Sequence, residues 1–398
     1  MPGYFYEIKL IFIMKNKINL FVLFCILPFT LFSQIKNNVL PDWTLGGFER
    51  PKHGNPVIVP NSNSIFYCPM NQAEVKWEES DTFNPAAVVK DGKIYVLYRA
   101  EDNSAVGIGK RVSRVGLAVT KNGVKMKKHV TPIVYPDVDT NKQYEWPGGC
   151  EDPRVAVTED GTYVIFYTSW DRHVARLCVA TSTDLVKWKK YGPVFAKAYD
   201  GKYLNTWSKA SSIVTKVVNN KLVISKVNEK YFMYWGEYMT HCAVSDDLVN
   251  WIPQEDKDGK LLVLANTRKG YFDSDLVECG PPAIITDKGI LLLYNGKNKT
   301  NNDRDFRFNP GTYSAGQMLF DLNDPTKMID RLDVPFFRPM ESYEKSGQYK
   351  DGTVFIEGLV YYKKKWFLYY GCADSKVGVA IYNPAKKKCG DPIPTNNL

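Results

Sequence analysis

The chain has 398 residues, of which 44% are hydrophobic and 14% aromatic, so it is long and apolar enough to bury a substantial core. Its 52 basic and 43 acidic residues give a formal charge of +9, and the lysine runs at 125–128 and 386–388 have no interleaved aromatic residues, so we expect no nucleic-acid partner. Eight cysteines without a C-x-x-C spacing and four histidines without an H-x-H or H-E-x-x-H pattern argue against a disulfide scaffold and against a metal site. We therefore expect neither a metal nor a cofactor.

The N-terminus predicts an export signal. Residues 14–33 begin with the basic stretch Met-Lys-Asn-Lys, continue with an apolar centre and end in a small residue, Ser33. This pattern is typical of a secretory signal peptide that starts at Met14 and is cleaved before Gln34. The apolar run is too short and too interrupted by proline for a membrane span. We therefore expect residues 1–33 to be removed and the mature protein to be periplasmic or extracellular.

Five copies of an aromatic strand follow along the chain. Each copy is preceded by a short apolar run that opens with a polar or proline-containing turn, and each is followed by a third apolar run. The last aromatic residues of the copies recur at intervals of 59 to 76 residues: Tyr98, Tyr167, Trp235, Tyr294 and Tyr370.

This repeat predicts the fold. A small sheet cannot bury both of its faces alone, so repeated sheets of this size must pack on one another around an axis. We therefore predict an all-β fold, a five-bladed β-propeller with a central funnel, formed by residues 34–398 as a single catalytic domain. Because a closed ring removes free strand edges, we also expect the two terminal segments to complete one blade together. A large β-sandwich is the alternative, but it would not require a fivefold repeat.

The candidate site residues follow from this architecture, because the inner strands of a propeller converge on the mouth of a central funnel. The turns that open the first strands contribute Asn84, Asp152, Ser211, Glu278 and Glu357. The ends of the second strands add Arg99, Glu101, Asp102, Asp171, Glu237 and Asp374. Arginine and tryptophan residues nearby are Arg154, Arg176, Trp146, Trp170 and Trp235. A lining of carboxylates, arginines and aromatic rings suits a neutral polyol such as a sugar.

One motif makes a family resemblance specific. The sequence Glu151-Asp152-Pro153-Arg154 resembles the Glu-Asp-Pro-Arg signature of glycoside hydrolase family 130, the five-bladed propellers that act on β-mannosides. Further motifs occur in the family's order across most of the blades: Asn84-Pro-Ala, Leu97-Tyr-Arg99-Ala-Glu-Asp102, Ala175-Arg176-Leu, Gly280-Pro-Pro and Tyr370-Gly-Cys-Ala-Asp374.

The resemblance implies a mannose-containing oligosaccharide as the partner and Asp152 as the general acid. The resemblance also implies relay of this proton through a substrate hydroxyl as an alternative to direct protonation of the leaving oxygen. The resemblance also implies that the sugar is held by Asn84, Arg99, Asp102 and Asp374, with Arg176 near the attacking group. Asp171 and Lys209 complete the predicted substrate-binding set. For Glu151 and Arg154, a local ion pair that braces the loop and a contact with substrate both stay open.

Two positions depart from the phosphorylase members that the chain resembles. Where those members typically carry a His-Arg pair, the chain has Trp235-Gly236-Glu237, and where they typically carry small residues before the Gly-Pro-Pro turn, it has Glu278. Two carboxylates would repel a phosphate dianion but could deprotonate water. Among the relatives that the chain resembles, departures of this kind accompany β-1,2-mannosidase activity. The resemblance therefore implies an inverting β-1,2-mannosidase, in which we expect Asp152 to be the acid and Glu237 and Glu278 to position and activate the water.

Two other functions stay open. A β-mannoside phosphorylase that releases mannose 1-phosphate would need Arg176, Lys209 and Arg99 to form its anion site. A non-catalytic carbohydrate-binding propeller would keep the aromatic residues and the arginines but would not need three converging acids.

Overall fold

A computed structural model describes residues 35–36 and 38–394; the predicted signal peptide, residues 1–33, lies outside the described residues. The five repeats form five antiparallel sheets, the blades of a β-propeller. Contacts between inner strands run from blade one through blades two to five and return to blade one. Among the described residues, no helix is both long and apolar enough to cross a bilayer.

The strands follow the predicted repeat. Before the blades lie β1 (Ile35–Lys36), β2 (Ile65–Cys68) and β3 (Ala73–Lys76). Blade one consists of β4 (Asp81–Lys90), β5 (Lys93–Glu101), β6 (Ser113–Thr120) and β7 (Lys127–Lys128). After α1 (Lys142–Glu145), blade two consists of β8 (Gly149–Val157), β9 (Tyr163–Trp170), β10 (Ala175–Ser182) and β11 (Lys189–Pro193).

The remaining blades are less regular. A 3₁₀ turn at Ala198–Gly201 precedes blade three, which consists of β12 (Ser211–Val218), β13 (Lys221–Ile224), β14 (Lys226–Val227), β15 (Lys230–Trp235), β16 (His241–Ser245) and β17 (Trp251–Pro253). Blade four consists of β18 (Leu276–Cys279), β19 (Ala283–Thr286), β20 (Gly289–Lys297), β21 (Tyr313–Phe320) and β22 (Met328–Arg331). A second 3₁₀ turn at Ser342–Glu344 precedes blade five, which consists of β23 (Val354–Tyr362), β24 (Lys365–Cys372) and β25 (Lys376–Tyr382); β26 (Ile393–Pro394) follows.

The five aromatic residues of the repeat occupy equivalent positions. Their cross-strand partners on the next strand are, in blade order, Gly116, Cys178, His241, Gly316 and Gly378. The partner is small in four blades because the tyrosine ring lies over it. A Cβ atom at Gly116 would come within 2.5 Å of the Tyr98 ring, and one at Gly316 within 2.4 Å of the Tyr294 ring.

Each of the four tyrosines is the centre of a buried tyrosine–carboxylate–cation triad. The hydroxyl donates to a carboxylate from the segment before the blade, at 2.7 to 2.8 Å, and the carboxylate pairs with a cation at the outer edge of the blade. The triads are Tyr98–Glu78–Lys128, Tyr167–Glu145–Lys190, Tyr294–Asp273–Arg331 and Tyr370–Glu344–Arg50. Burial, reinforced by the adjacent carboxylate, raises the pKa of Tyr98 well above its usual range, so the hydroxyl stays a donor.

Blade three lacks this triad. Its aromatic residue is Trp235, which packs against His241 with ring centroids 4.9 Å apart. The indole Nε1 has no hydrogen-bond partner among the described residues. The blade is therefore held at this point by apolar packing alone.

The N-terminal segment completes blade five. Glu49 and Ile381 exchange two backbone hydrogen bonds of 3.0 and 2.8 Å, and Val377 donates to the carbonyl of Ile58 at 3.0 Å. Strands β1 and β26 pair antiparallel beside this junction. Together the terminal segments close the ring, as the repeat predicts, and Arg50 brings the cation of the fifth triad with them.

Replacing Glu344 by glutamine should lower the free energy of unfolding by about 3 kcal/mol. The change removes one charge of a buried ion pair at the ring closure and leaves Arg50 partly uncompensated. The control is Lys386→Met, which removes the exposed pair with Glu49 on the same closing segment and should change the unfolding free energy little. Urea unfolding of both variants provides the measurement. Equal losses in the two variants would contradict a special role for the triad.

Candidate active site

Backbone bulges bring polar side chains to the axis. The pairing between first and second strands shifts around Asn84 in blade one and around Asp152 in blade two. Both residues have left-handed backbone conformations, with φ of 45° and 47°. A bulge adds one residue to a strand and redirects a side chain, and such strained positions are frequent at functional sites. Here Asn84 Nδ2 donates to Asp152 Oδ1 at 2.9 Å.

A cavity of about 210 Å³ opens over these bulges. Its polar lining residues are Asn84, Arg99, Glu151, Asp152, Lys209, Glu237, Glu278, Thr353 and Asp374. A larger surface depression of about 780 Å³ lies between blades two and three, but it has no comparable set of converging buried charges. The chemistry of the lining, and not the volume, identifies the smaller cavity as the candidate site.

Asp152 is 2% exposed and surrounded by donors and cations. Besides Asn84, Arg99 Nη1 lies 3.1 Å from Oδ1, and Lys209 Nζ lies 3.6 Å from Oδ2. Burial alone would raise the pKa of Asp152, but the charges on Arg99, Lys209 and Arg154 outweigh it and hold the pKa below its usual range. In the free site, Asp152 is therefore a carboxylate.

Arg99 contacts acidic side chains of both blade one and blade two. Its Nη2 lies 2.7 Å from Glu101 Oε1 and 2.9 Å from Glu151 Oε1, and its Nε donates to Ser113 at 3.0 Å. The guanidinium thus has partners on every side, including Asp152. From the sequence, both an ion pair and a substrate contact are open for Glu151; in the structure it forms the ion pair and also lines the cavity.

Lys209 lies between two carboxylates of the lining. Its Nζ is 3.6 Å from Glu237 Oε1, the same distance as from Asp152 Oδ2. The two carboxylate oxygens are therefore no farther apart than twice this distance, so both carboxyl groups line the same small cavity. Trp207 Nε1 donates to the other oxygen of Glu237 at 2.7 Å. Both oxygens of Glu237 thus face a donor or a cation.

Three carboxyl groups of the lining have raised pKa values. Burial, aided by the negative charge of Glu237, raises the pKa of Glu278 to about 8 against the opposing charge of Lys209. Burial likewise raises the pKa of Glu151 and of Asp374 to about 7, although Arg99 opposes both shifts. The site therefore holds ionised and protonated carboxyl groups side by side near neutral pH.

Aromatic residues flank the charged groups on two sides. Trp170 and Trp207 meet edge to face with ring centroids 5.6 Å apart, and Trp207 is 46% exposed. On the other side, Tyr313 contacts both Tyr349 and Phe355. Sequence reasoning identified Trp170 but missed the other four, which lie in segments between blades or at strand ends outside the quoted motifs. A tryptophan just before the third blade was the one available signal.

Two predicted aromatic residues do not line the cavity. Trp235 is buried between blades two and three against Phe195, with ring centroids 4.8 Å apart. Trp146 lies outside the cavity lining as well. The expectation for Trp235 was wrong because the last aromatic residue of the repeat faces the neighbouring blade and not the axis.

Ten residues received a catalytic or substrate-binding role from the sequence, and seven of them line the cavity: Asn84, Arg99, Asp152, Lys209, Glu237, Glu278 and Asp374. The other three do not. Asp102 pairs with Arg114 at 2.8 Å, and Asp171 pairs with Arg176 at 2.7 Å. Arg176 also donates to Asn205. These side chains satisfy one another beside the funnel, and among the described residues no cluster of His, Cys, Asp and Glu is arranged to hold a metal ion.

Comparisons with known proteins identify the family of this chain. Residues 50–386 match a family model described as β-1,4-mannooligosaccharide phosphorylase of glycoside hydrolase family 130. The 1,2-β-oligomannan phosphorylase of Thermoanaerobacter sp. (strain X514) is 33% identical over 316 residues, which cover 78% of this chain and 93% of that protein.

Two solved structures are more similar. One, reported with the finding that this family of mannoside phosphorylases contains glycoside hydrolases that target β-1,2 mannosidic linkages in Candida mannan, is 63% identical with a TM-score of 0.89 and covers 90% of this chain and 100% of its own. A glycosyl hydrolase from Bacteroides ovatus is 61% identical with a TM-score of 0.88 and covers 90% of this chain and 99% of its own.

Proposed function

The chain belongs to glycoside hydrolase family 130, and on this premise we propose that it is an inverting hydrolase of β-1,2-linked mannosides. The observation that carries the proposal is the presence of Glu237 and Glu278 in the cavity that also holds Asp152. The relative that targets β-1,2 mannosidic linkages supports the choice of substrate.

The charge balance of the cavity favours water over phosphate as the attacking group. Five carboxyl groups line the cavity, against the two cations Arg99 and Lys209. Both cations already face carboxylates, Arg99 at Glu151 and Lys209 at Glu237. Two like unit charges about 4 Å apart repel by about 4 kcal/mol at an effective dielectric constant near 20, so an ionised carboxylate such as Asp152 beside a phosphate would weaken its binding. Glu278 adds to this repulsion only above about pH 8, where it loses its proton.

Glu237 and Glu278 have different roles in the proposed reaction. Lys209 lies 3.6 Å from one oxygen of Glu237 and Trp207 donates to the other, so this side chain is held in place at the cavity wall for the role of the base that takes a proton from water. Glu278 carries a proton below about pH 8, so its carboxyl group can donate a hydrogen bond that orients the water toward Glu237. The pair thus supplies one acceptor and one donor to the same water molecule.

Asp152 is the proposed acid, although the free site holds it ionised. A bound sugar would bring its hydroxyl groups to Arg99 and Lys209 and exclude water, which weakens the stabilisation of the negative charge on Asp152. Relay of the proton through a substrate hydroxyl, which the family resemblance implies, would ease the same difficulty, because the acid and the leaving oxygen need not then be in contact. We also propose that residues 1–33 direct export of the protein.

The reaction type can be tested with β-1,2-mannobiose. In phosphate-free buffer the protein should hydrolyse it and release α-mannose first, because attack by water from the opposite face inverts the anomeric centre. Proton NMR follows the anomers, and added phosphate should neither accelerate the reaction nor yield mannose 1-phosphate. Phosphate-dependent formation of mannose 1-phosphate would instead support the phosphorylase alternative, for which the Thermoanaerobacter relative is the precedent.

Glu237→Gln should lower kcat by a factor on the order of 10² to 10⁴, because the amide cannot accept the proton from water. The matched control is Glu229→Gln, an exposed glutamate in the turn that precedes β15, the strand that Glu237 follows; this variant should retain native turnover. Steady-state kinetics on mannobiose measure both. A Glu237→Gln variant with near-native kcat would remove this residue from the role of base.

Asp152→Asn should lower turnover of an unactivated mannoside by roughly 10² or more, because the amide cannot supply a proton. The loss should be much smaller for an aryl mannoside whose leaving group needs no protonation. Asp160→Asn, at an exposed hairpin turn, is the control. Equal losses on both substrates would point to a structural role for Asp152.

The pH profile tests the role of Glu278. Because its pKa is raised to about 8, the protonated form is present below that pH and is lost above it. Under the proposed roles, kcat/KM should fall as the pH rises through about 8, since a second negative charge then faces Glu237 and the water. The Glu278→Gln variant, which stays neutral, should be slower than the native protein but should lack this decline. A decline that persists in the variant would contradict the assignment.

A further inference from the structure

Arg154 lies behind the wall of the cavity, where three blades meet. It is 1% exposed and does not line the cavity itself. Its Nη1 donates to the carbonyl oxygen of Asp152 at 2.9 Å, and its Nη2 donates to the carbonyl oxygen of Cys279 at 3.1 Å. Nη2 also lies 2.9 Å from Glu357 Oε1. One guanidinium thus joins the first strands of blades two, four and five at the axis.

The carbonyl partners of Arg154 belong to the two walls that carry the reacting groups. Asp152 is the proposed acid, and Cys279 directly follows Glu278 in the chain. Nη2 is 3.8 Å from Glu278 Oε1, so Arg154 faces this carboxyl group as well as the backbone beside it. Building on the proposed function, we propose that Arg154 is a positioning residue that sets the separation between Asp152 and the water-binding Glu278 across two blades.

Arginine suits this role and lysine does not. The planar guanidinium offers several N–H donors in a rigid fork, so two of its nitrogens can donate to two carbonyl groups on different blades at once. A lysine ammonium carries the same charge on a single nitrogen at the end of a flexible chain. Lysine at this position would preserve the electrostatic effect on Glu278 while losing the bridge.

Glu357 braces the guanidinium from the fifth blade. It is fully buried, and neither of its carboxyl oxygens has a hydrogen bond of good geometry among the described residues. Burial raises the pKa of Glu357 well above its usual range, with Arg154 as the main opposing charge. Because a buried polar group needs a partner, the 2.9 Å contact between Glu357 Oε1 and Arg154 Nη2 helps to hold the guanidinium at the axis.

The test compares Arg154→Lys, Arg154→Gln and the control Arg331→Lys. Arg331 is also a buried arginine that bridges a carboxylate and a backbone carbonyl, those of Asp273 and Asn266, but it lies away from the cavity. Folding is checked by circular dichroism and thermal unfolding, and kcat, KM and the pH profile of kcat/KM are measured on β-1,2-mannobiose.

For Arg154→Lys we expect kcat to fall about 10- to 100-fold, because a small misplacement of reacting groups is enough for a loss of that size, while KM changes by less than about threefold. The alkaline limb near pH 8 should stay, because the charge is kept. Arg154→Gln should also move that limb to higher pH, since loss of a positive charge raises the pKa of Glu278. Arg331→Lys should lower the melting temperature but retain native kcat.

Near-native kcat in Arg154→Lys would overturn the positioning role, and so would kinetic losses no different from those of Arg331→Lys. If Arg154→Gln fails to fold, Arg154→Lys decides the question alone. Rates are measured with whichever acceptor, water or phosphate, the native protein uses. The activity of the native protein therefore tests the proposed function, and the ratio of variant to native kcat tests the positioning role of Arg154.

Discussion

The buried hydrogen bond from a tyrosine hydroxyl to a carboxylate organises four of the five blades. In each triad the tyrosine comes from the second strand, the carboxylate from the segment that enters the blade and the cation from its outer edge, so three pieces of chain distant in sequence meet at one point. A buried carboxylate that lost either partner would be strongly destabilising. The interaction therefore holds each blade together and fixes where its first strand begins.

The start of each first strand matters because the first strands contribute side chains to the candidate active site. The bulges at Asn84 and Asp152 lie a few residues after the segments that Glu78 and Glu145 anchor. In blade five the same arrangement, with Glu344 and Arg50, also joins the two ends of the chain. Closure of the ring thus uses the same contact that holds three of the other blades together. Blade three, which replaces it with Trp235 and His241, shows that apolar packing can substitute at one position of five.

The protonation states of the carboxyl groups in the funnel depend on the balance of charges there. Arg99, Arg154 and Lys209 face a larger number of buried carboxyl groups, so some of these groups must be protonated near neutral pH. The surroundings of each carboxyl group determine whether it is protonated. The charges on Arg99, Lys209 and Arg154 outweigh burial and hold Asp152 ionised. Burial, aided by the negative charge of Glu237, raises the pKa of Glu278 to about 8. This difference divides acid and base roles among groups of the same chemical type.

The sequence alone determined the blade count, the register of the aromatic strands and the convergence of seven polar residues, because strand periodicity and turn motifs are local properties that repeat. It also predicted the family from ordered motifs. Only the tertiary structure decided which polar groups form ion pairs outside the funnel. Asp102 pairs with Arg114 and Asp171 with Arg176, and these pairings depend on side-chain directions at strand ends. It also decided that Trp207 and Tyr349 reach the cavity and that Asp152 and Glu278 have opposite pKa shifts. Burial and the distance to each charge are set by how the blades pack, and neither can be obtained from the order of the residues.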